Sequence, residues 1–214
     1  MRDRVFIIGG GASLKGFDFN KLKNEDTIAV NVSALDVPNP TFSITADSSI
    51  FRKIQEGYFK NVKTTWVLVT NPNHCAMKWK DGKFIHVRSG FVYNLFCVDM
   101  IIKSTGLDGI GFSFNNFKTG YNSGFCALQL AVLLGYQEIY LLGIDLNNKA
   151  EESHYHNRYG GNKTISKTSF SNFYKSFVTA LEEIKLKTKI KVSSMSSISS
   201  LNSCIPYKSW EEIL

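Results

Sequence analysis

The chain has 214 residues, 43% of them hydrophobic, including 16 Phe and 9 Tyr; this is enough for one well-buried core with at most a small subdomain, and it excludes a disordered chain. A formal charge of +7 and an isoelectric point near 9.2 permit an anionic partner such as a nucleotide, a nucleic acid or a phosphorylated glycolipid surface. The one evident basic run, Lys185, Lys187, Lys189 and Lys191, alternates across a helix end and a strand, and no aromatic-basic motif accompanies it, so nucleic acid is not the expected partner.

The N-terminus, MRDRVFIIGGG, places an apolar run after two arginines, but the run is too short for a signal peptide and enters glycines at once; it predicts a first strand over Val5 to Ile8. Gly9, Gly10 and Gly11 then form a tight turn into Ala12-Ser13-Leu14-Lys15, a strand-turn-helix outline of a phosphate loop. Against the dinucleotide fingerprint G-x-G-x-x-G, Leu14 stands at the third glycine. The second strand, Thr27 to Val30, ends in Asn31 where that fingerprint has an acidic residue, so a nicotinamide cofactor is not expected. Asn31 reads either as a ligand contact or as the cap of a helix starting at Ser33.

A third strand, Phe42 to Thr45, ends at Asp47, and Ser48 to Tyr58 predicts a helix. Thr64 to Thr70 is a strand, and Asp81-Gly82 a turn between two short strands in an excursion from Cys75 to Ser89. Phe91 to Thr105 is predicted as a helix stopped by Gly106. The stretch from Thr119 to Asp145 organises the rest. Asn122-Ser123-Gly124 reads as an N-cap, Phe125 to Leu134 as a helix in which Gln129 is the one strongly polar residue, and Glu138 to Leu142 as a buried parallel strand. Gly143 and Asp145 follow at its carboxyl end, where open α/β sheets bind ligands, and the helix N-terminus suits an anion.

Residues 147–168 form a polar loop of about 20 residues, the length of a functional lid, holding His154, Tyr155, His156, Arg158 and Tyr159. Each histidine is a candidate base or solvated surface; His74 and His86 read as structural. Ser169 to Leu186 is a helix with Phe173, Phe177, Leu181 and Ile184 on one stripe, and Lys189 to Val192 a last strand. The Ser-rich stretch from Ser193 to Ser203 predicts a loop with a helical turn, and Tyr207 to Leu214 a closing helix. Widely spaced Cys75, Cys97, Cys126 and Cys204 predict reduced thiols. With no D-x-D pair or carboxylate cluster, no metal site is expected. The alternation of elements predicts one α/β domain over 1–214, a doubly wound, mostly parallel sheet, with no apolar stretch long enough to span a bilayer, hence a soluble cytoplasmic protein able to lie peripherally on a membrane.

Ile7 to Lys15 with Asp18, then Asn31, Asn122-Ser123-Gly124, Leu134 to Asp145 (LGYQEIYLLGID) and Ser153 to His156 resemble, in order along most of the chain, the bacterial sialyltransferases of glycosyltransferase family 42. A looser resemblance links the first loop and the strand-G-x-D motif to bacterial and phage proteins related to an archaeal pterin diphosphokinase. The first resemblance implies a Rossmann-like, GT-A-like domain with a short lid and a metal-independent, inverting transferase or hydrolase using a CMP-activated sugar, CMP-sialic acid first, with no cofactor. It implies donor contacts at Gly9, Gly10, Gly11, Ser13, Asn31, Asp47, Asn122, Ser123, Gly124, Gly143 and Asp145. It also implies a general base at His156 or His154, with His156 preferred, and Tyr155, Arg158 or Tyr159 at the leaving phosphate. Gly10 and Asp47 stand where the family has asparagine, and Gly120 where it has arginine. The expected partners are a nucleotide-sugar donor, a glycan or glycolipid acceptor, and a second copy of the chain. The second resemblance implies a nucleotide- or pterin-binding protein without glycosyl transfer.

Overall fold

A computed structural model describes residues 3–70, 77–80, 83–86, 92–147, 154–158 and 167–213. Its strands are β1 (Arg4–Ile8), β2 (Thr27–Val30), β3 (Phe42–Thr45), β4 (Thr65–Thr70), β5 (Met77–Lys80), β6 (Lys83–His86), β7 (Val92–Tyr93), β8 (Met100–Gly106), β9 (Phe117–Lys118), β10 (Glu138–Leu142) and β11 (Lys191–Ser194); the α-helices are α1 (Ser48–Gln55), α2 (Ser123–Leu133) and α3 (Lys167–Lys187). Eight strands form one sheet in the order β11-β10-β1-β2-β3-β4-β8-β9, and every pairing in it is parallel. The chain moves outward from β1 through β2, β3, β4, β8 and β9, then crosses back to place β10 on the other side of β1. The carboxyl ends of β1 and β10 therefore flank a topological switch point.

Alternation along β1 shows how both faces are covered. Val5 and Ile7 join a core with Phe125, Leu128, Phe177 and Ile184 of α2 and α3, while Phe6 and Ile8 join a second core with Ile50, Phe51 and Ile54 of α1. Every residue of α2 from Ser123 to Val132 is buried, as its apolar sequence requires. In α3, Phe177, Ala180, Leu181 and Ile184 form the buried stripe and Phe173 is half-buried.

Three expectations are corrected. The stretch expected as a helix over Phe91 to Thr105 is not one in its described residues, 92–105: it holds β7, a short 3-10 turn over Leu95–Cys97 and β8. Asn94 caps that turn by accepting a hydrogen bond from Phe96 N at 3.1 Å, and in β8 Ile102 and Ser104 point inward while Ile101, Lys103 and Thr105 are exposed. An apolar run without a clear period can be read either way, and here the strand's period of two prevails. The tail ends in a single turn, Ile213 N donating to Trp210 O, rather than a helix. The last strand begins two residues later than expected, at Lys191. The excursion is as predicted, β5 and β6 pairing antiparallel with Lys80 opposite Lys83 and His86 opposite Met77. Its turn, 81–82, lies outside the described residues, as does His74. Among the described residues Cys97, Cys126 and Cys204 form no disulfide, and Cys126 is buried in the core. No helix among the described residues is long and apolar enough to cross a membrane.

Gln129, the polar exception in α2, is fully buried, and its Oε1 accepts from Gly111 N at 3.1 Å and Lys118 N at 3.2 Å, holding the edge strand β9 and its approach. Gln129→Leu orphans two backbone amides, each costing about 1–3 kcal/mol. Urea unfolding should show a loss in that range or above, with amide exchange accelerated first around β9; an unchanged midpoint would show that water or the backbone replaces the glutamine.

Candidate functional site

At the switch point the two loops meet with no room for side chains. Gly9 N donates to Leu142 O and Gly11 N to Gly143 O, both at 2.8 Å. A Cβ on Gly11 would stand 2.5 Å from Asp145 Oδ2 and 2.7 Å from Gly143 O, and one on Gly9 would collide with Gly143 O and with Ile144 Cδ1 at 2.6 Å. Gly143 itself has φ +62°, the left-handed region glycine enters without cost. Asp145 is buried, and a buried carboxylate needs hydrogen bonds. Ser13 supplies them, its N–H donating to Oδ2 at 2.9 Å and its hydroxyl to Oδ1 at 2.6 Å.

Asp145 is therefore a tie between the loops through both its oxygens. Likewise the N–H groups of Gly9, Gly11 and Ser13 are taken up inside the protein, so these three amides are not open to a phosphate. Behind it, the Ser-rich stretch is a scaffold. Ser199 Oγ donates to Ile144 O at 2.8 Å, and Ser200 N to Asp145 O at 2.9 Å. The expected helical turn is the 3-10 turn Ser200–Ser203.

Ile144 joins the second wall. A Cβ on Gly124 would meet Ile144 Cδ1 at 3.1 Å, so this side chain packs against both Gly9 and the first turn of α2. Asn122 is the N-cap, its Oδ1 accepting from Phe125 N at 2.9 Å while its Nδ2 donates to Gly120 O at 3.0 Å. Ser123 Oγ accepts from Ala46 N at 3.0 Å, linking α2 to the end of β3. Asp47, next in the chain, is exposed and caps α1 by accepting from Ser49 N at 2.7 Å. The side chains of Asn122 and Asp47, expected to contact a donor, thus act as helix caps. Gly120 has φ +52° and a Cβ there would overlap the Phe125 ring, so no arginine fits at this position.

Asn31 opens the 3-10 turn Asn31–Leu35 at the end of β2, with φ +56°. It does not cap a helix at Ser33: Ser33 Oγ instead accepts from Val30 N at 2.9 Å and donates to Ile8 O at 2.8 Å, tying β2 to β1. The Asn31 Oδ1 atom is buried and has no hydrogen-bond partner among the described residues. A left-handed asparagine with an orphaned buried carbonyl stores cost that a ligand donor would relieve.

Residues 154–158 lie over the glycine loop. Tyr155 N donates to Gly10 O at 3.1 Å, and a Cβ on Gly10 would stand 3.1 Å from His154 Cδ2 and 3.7 Å from His156 Nε2. Gly10 is therefore the residue that admits both imidazoles, whose ring centres are 5.7 Å apart. Burial favours the neutral form of each: His154 is held below the ordinary histidine range, and His156 is lowered to about 4 by burial first and then by His154 and Arg158.

Tyr155 and Arg158, expected at a leaving phosphate, both point to Asp36, a residue the sequence does not single out. Tyr155 Oη donates to Asp36 Oδ2 at 2.6 Å, Arg158 Nη2 donates to Oδ1 at 2.7 Å, and Arg158 Nη1 donates to Oδ2. Burial opposes ionisation of Asp36, but these bonds and the guanidinium charge outweigh it and leave the carboxyl below its usual range. Tyr159 lies outside the described residues. Among the described residues no group of three or more His, Cys, Asp or Glu could hold a metal ion.

The whole architecture matches solved structures. The sialyltransferase CstII from Campylobacter jejuni, in complex with the substrate analogue cytidine-5'-monophosphate, superposes with a TM-score of 0.56 at 21% identity, covering 95% of this chain and 84% of that one. The fold is that of a sialyltransferase. A complex of CstII with a trisaccharide acceptor and CMP gives a TM-score of 0.54 at 20% identity over 95% of this chain and 85% of that one. The Maf glycosyltransferase of Magnetospirillum magneticum AMB-1 superposes over 94% of this chain but 33% of its own, with a TM-score of 0.53 at 14% identity. No protein-family model and no curated protein matches the chain.

The histidines make stability depend on pH. Their folded-state pKa values lie below the unfolded value near 6.5, so between that pH and about 4 the unfolded chain binds more protons and the fold loses stability as pH falls. Denaturant titrations at pH 7, 6 and 5 should show decreasing stability, and a His154→Gln/His156→Gln variant should show a shallower slope. An equal slope would mean that burial does not hold these imidazoles neutral.

Proposed function

We propose that this chain is a glycosyltransferase acting on a CMP-activated sugar, with CMP-sialic acid as donor and inversion at the anomeric carbon. The observation that supports it most is the placement of two neutral imidazoles directly over Gly10, at the switch point of a sheet whose fold is that of CMP-bound sialyltransferases. A neutral imidazole can take a proton from a hydroxyl as its oxygen attacks.

The geometry divides the two histidines. His156 Nδ1 accepts from Arg158 N at 3.3 Å, which assigns its proton to Nε2 and makes that atom a donor. The resemblance prefers His156 as base; with Nε2 of His156 protonated, we take His154 as the base instead. In the reaction, the acceptor oxygen bonds to the anomeric carbon as its proton passes to His154; the bond from that carbon to the phosphate oxygen breaks, and its electron pair leaves with CMP. Water in place of the acceptor gives hydrolysis.

Asn31 Oδ1 accepts a donor hydroxyl or amino group, and the positive end of α2 faces the phosphate. The leaving group carries a single phosphate, whose charge a helix N-terminus and a neutral donor at His156 Nε2 can balance without a metal. A glycan or glycolipid serves as acceptor.

Incubation with CMP-sialic acid, with and without a galactoside, followed by product analysis tests the reading. CMP release should occur in both arms and sialoside form in one. His154→Ala should lower turnover by roughly 100-fold or more with CMP affinity retained. Thermal stabilisation by ATP or a pterin, with none by CMP, would overturn the donor assignment.

A further inference from the structure

A connected set of bonds runs from the end of the 3-10 turn after β2 to the ring of His156. Asp36 accepts from both Nη atoms of Arg158, a paired geometry that fixes the guanidinium plane, and from Tyr155 Oη. Tyr155 is in turn held from three sides: its N–H on Gly10 O at 3.1 Å, its ring 4.6 Å from that of His156 and 5.6 Å from that of Phe19. Arg158 N donates to His156 Nδ1, and Arg158 O accepts from Lys53 Nζ at 3.3 Å. The backbone between residues 154 and 158 is thereby anchored at one acidic side chain in a different part of the fold.

We infer that Asp36 is a positioning residue: by clamping Arg158 and Tyr155 it holds residues 154–158 on the glycine loop and keeps His156 in the Nε2–H tautomer, so that His156 Nε2 acts as a hydrogen-bond donor. This answers a chemical need of the paired site. Two adjacent neutral imidazoles have four ring nitrogens and two protons, and without an external bond their tautomers are undetermined. The Arg158 amide fixes one ring, and Asp36 fixes Arg158. The consequence for catalysis rests on the transferase reading above; the tautomer assignment does not.

Among the described residues, His154, Tyr155 and Arg158 on its own segment and Asp36 from the turn after β2 face His156, with Lys53 bonded to the Arg158 carbonyl and Tyr58 acting on Arg158 through its charge. Removing the Asp36 carboxylate therefore has two opposed consequences, which separate positioning from simple charge. If Asp36 only supplied negative charge, its loss would leave Arg158 uncompensated and drive the His156 pKa lower still. If it holds the segment in place, its loss releases the ring to water and the pKa rises toward 6.5.

The test uses the full chain labelled with 15N-histidine. In the wild type, long-range 1H–15N spectra should show His156 as the Nε2–H tautomer. In Asp36→Ala the two nitrogens should move toward the averaged values of a free imidazole and the pKa should rise, with Asp36→Glu restoring the wild-type pattern in part. Should Asp36→Ala not fold, Arg158→Ala and Tyr155→Phe remove the partners singly, and Arg158→Ala should give the same tautomer loss. An unchanged His156 tautomer with an unchanged or lowered pKa would overturn the assignment. In turnover of CMP-sialic acid, Asp36→Asn should lower kcat roughly 10- to 100-fold with CMP affinity changed less than about threefold. If the wild type lacks turnover, the transferase reading fails, while the spectra still decide the role of Asp36.

Discussion

The structure depends on one buried carboxylate. Asp145 sits at the end of β10, excluded from water, and both its oxygens are satisfied by Ser13 on the loop after β1. This draws together the ends of two strands that are adjacent in the sheet but more than a hundred residues apart in the chain. It also sets the local composition. With the carboxylate against Gly11 and the Gly143 carbonyl against Gly9 and Gly11, a Cβ at either position would collide with backbone or with the carboxylate itself. The three consecutive glycines therefore serve two purposes: the outer two let the loops close on each other, and Gly10 lets the histidines close on the loop.

From that tie the remaining parts follow in layers. Ile144, between Gly143 and Asp145, fills the space between Gly9 and the first turn of α2, which places the N-terminus of that helix at the same edge. The serines of 196–203 brace the carbonyls of Ile144 and Asp145 from behind. Segment 154–158 covers the front, fastened to Gly10 by its backbone and to Asp36 by Tyr155 and Arg158. Much of the polar inventory at this edge is thus engaged within the protein. Asn31 Oδ1 is an exception, a buried acceptor without a partner among the described residues, on a residue held at positive φ.

The distribution of roles among the histidines shows why distance in sequence misleads about chemistry. His154 and His156 are two residues apart, and burial keeps both imidazoles neutral. The Arg158 amide donates to His156 Nδ1, which leaves Nε2 as the protonated nitrogen of that neutral ring. Tyr155 between them faces the opposite core, against Phe19 and Asp36.

The sequence by itself determined the parallel sheet, the helix from Ser123 with its Asn122 cap, the amphipathic stripe of α3, and the placement of Gly143 and Asp145 at the carboxyl end of a buried strand. These rest on local signals: runs of strand length, turn glycines, a capping side chain and helical spacing. It mistook β8 for part of a helix because its apolar run has no clear period until burial shows which side chains face inward. Only the tertiary structure decided that Asp145 is a tie, that Asn122 and Asp47 are caps, that Gly120 excludes a side chain because Phe125 lies beneath it, and that Asp36 holds Tyr155 and Arg158. Each of these depends on what a side chain meets, and partners such as Ser13 and Asp145, or Asp36 and Arg158, lie more than a hundred positions apart with no shared motif. Residue type and spacing announce a polar group; the packing of distant segments determines whether that group is left for a ligand or consumed by the fold.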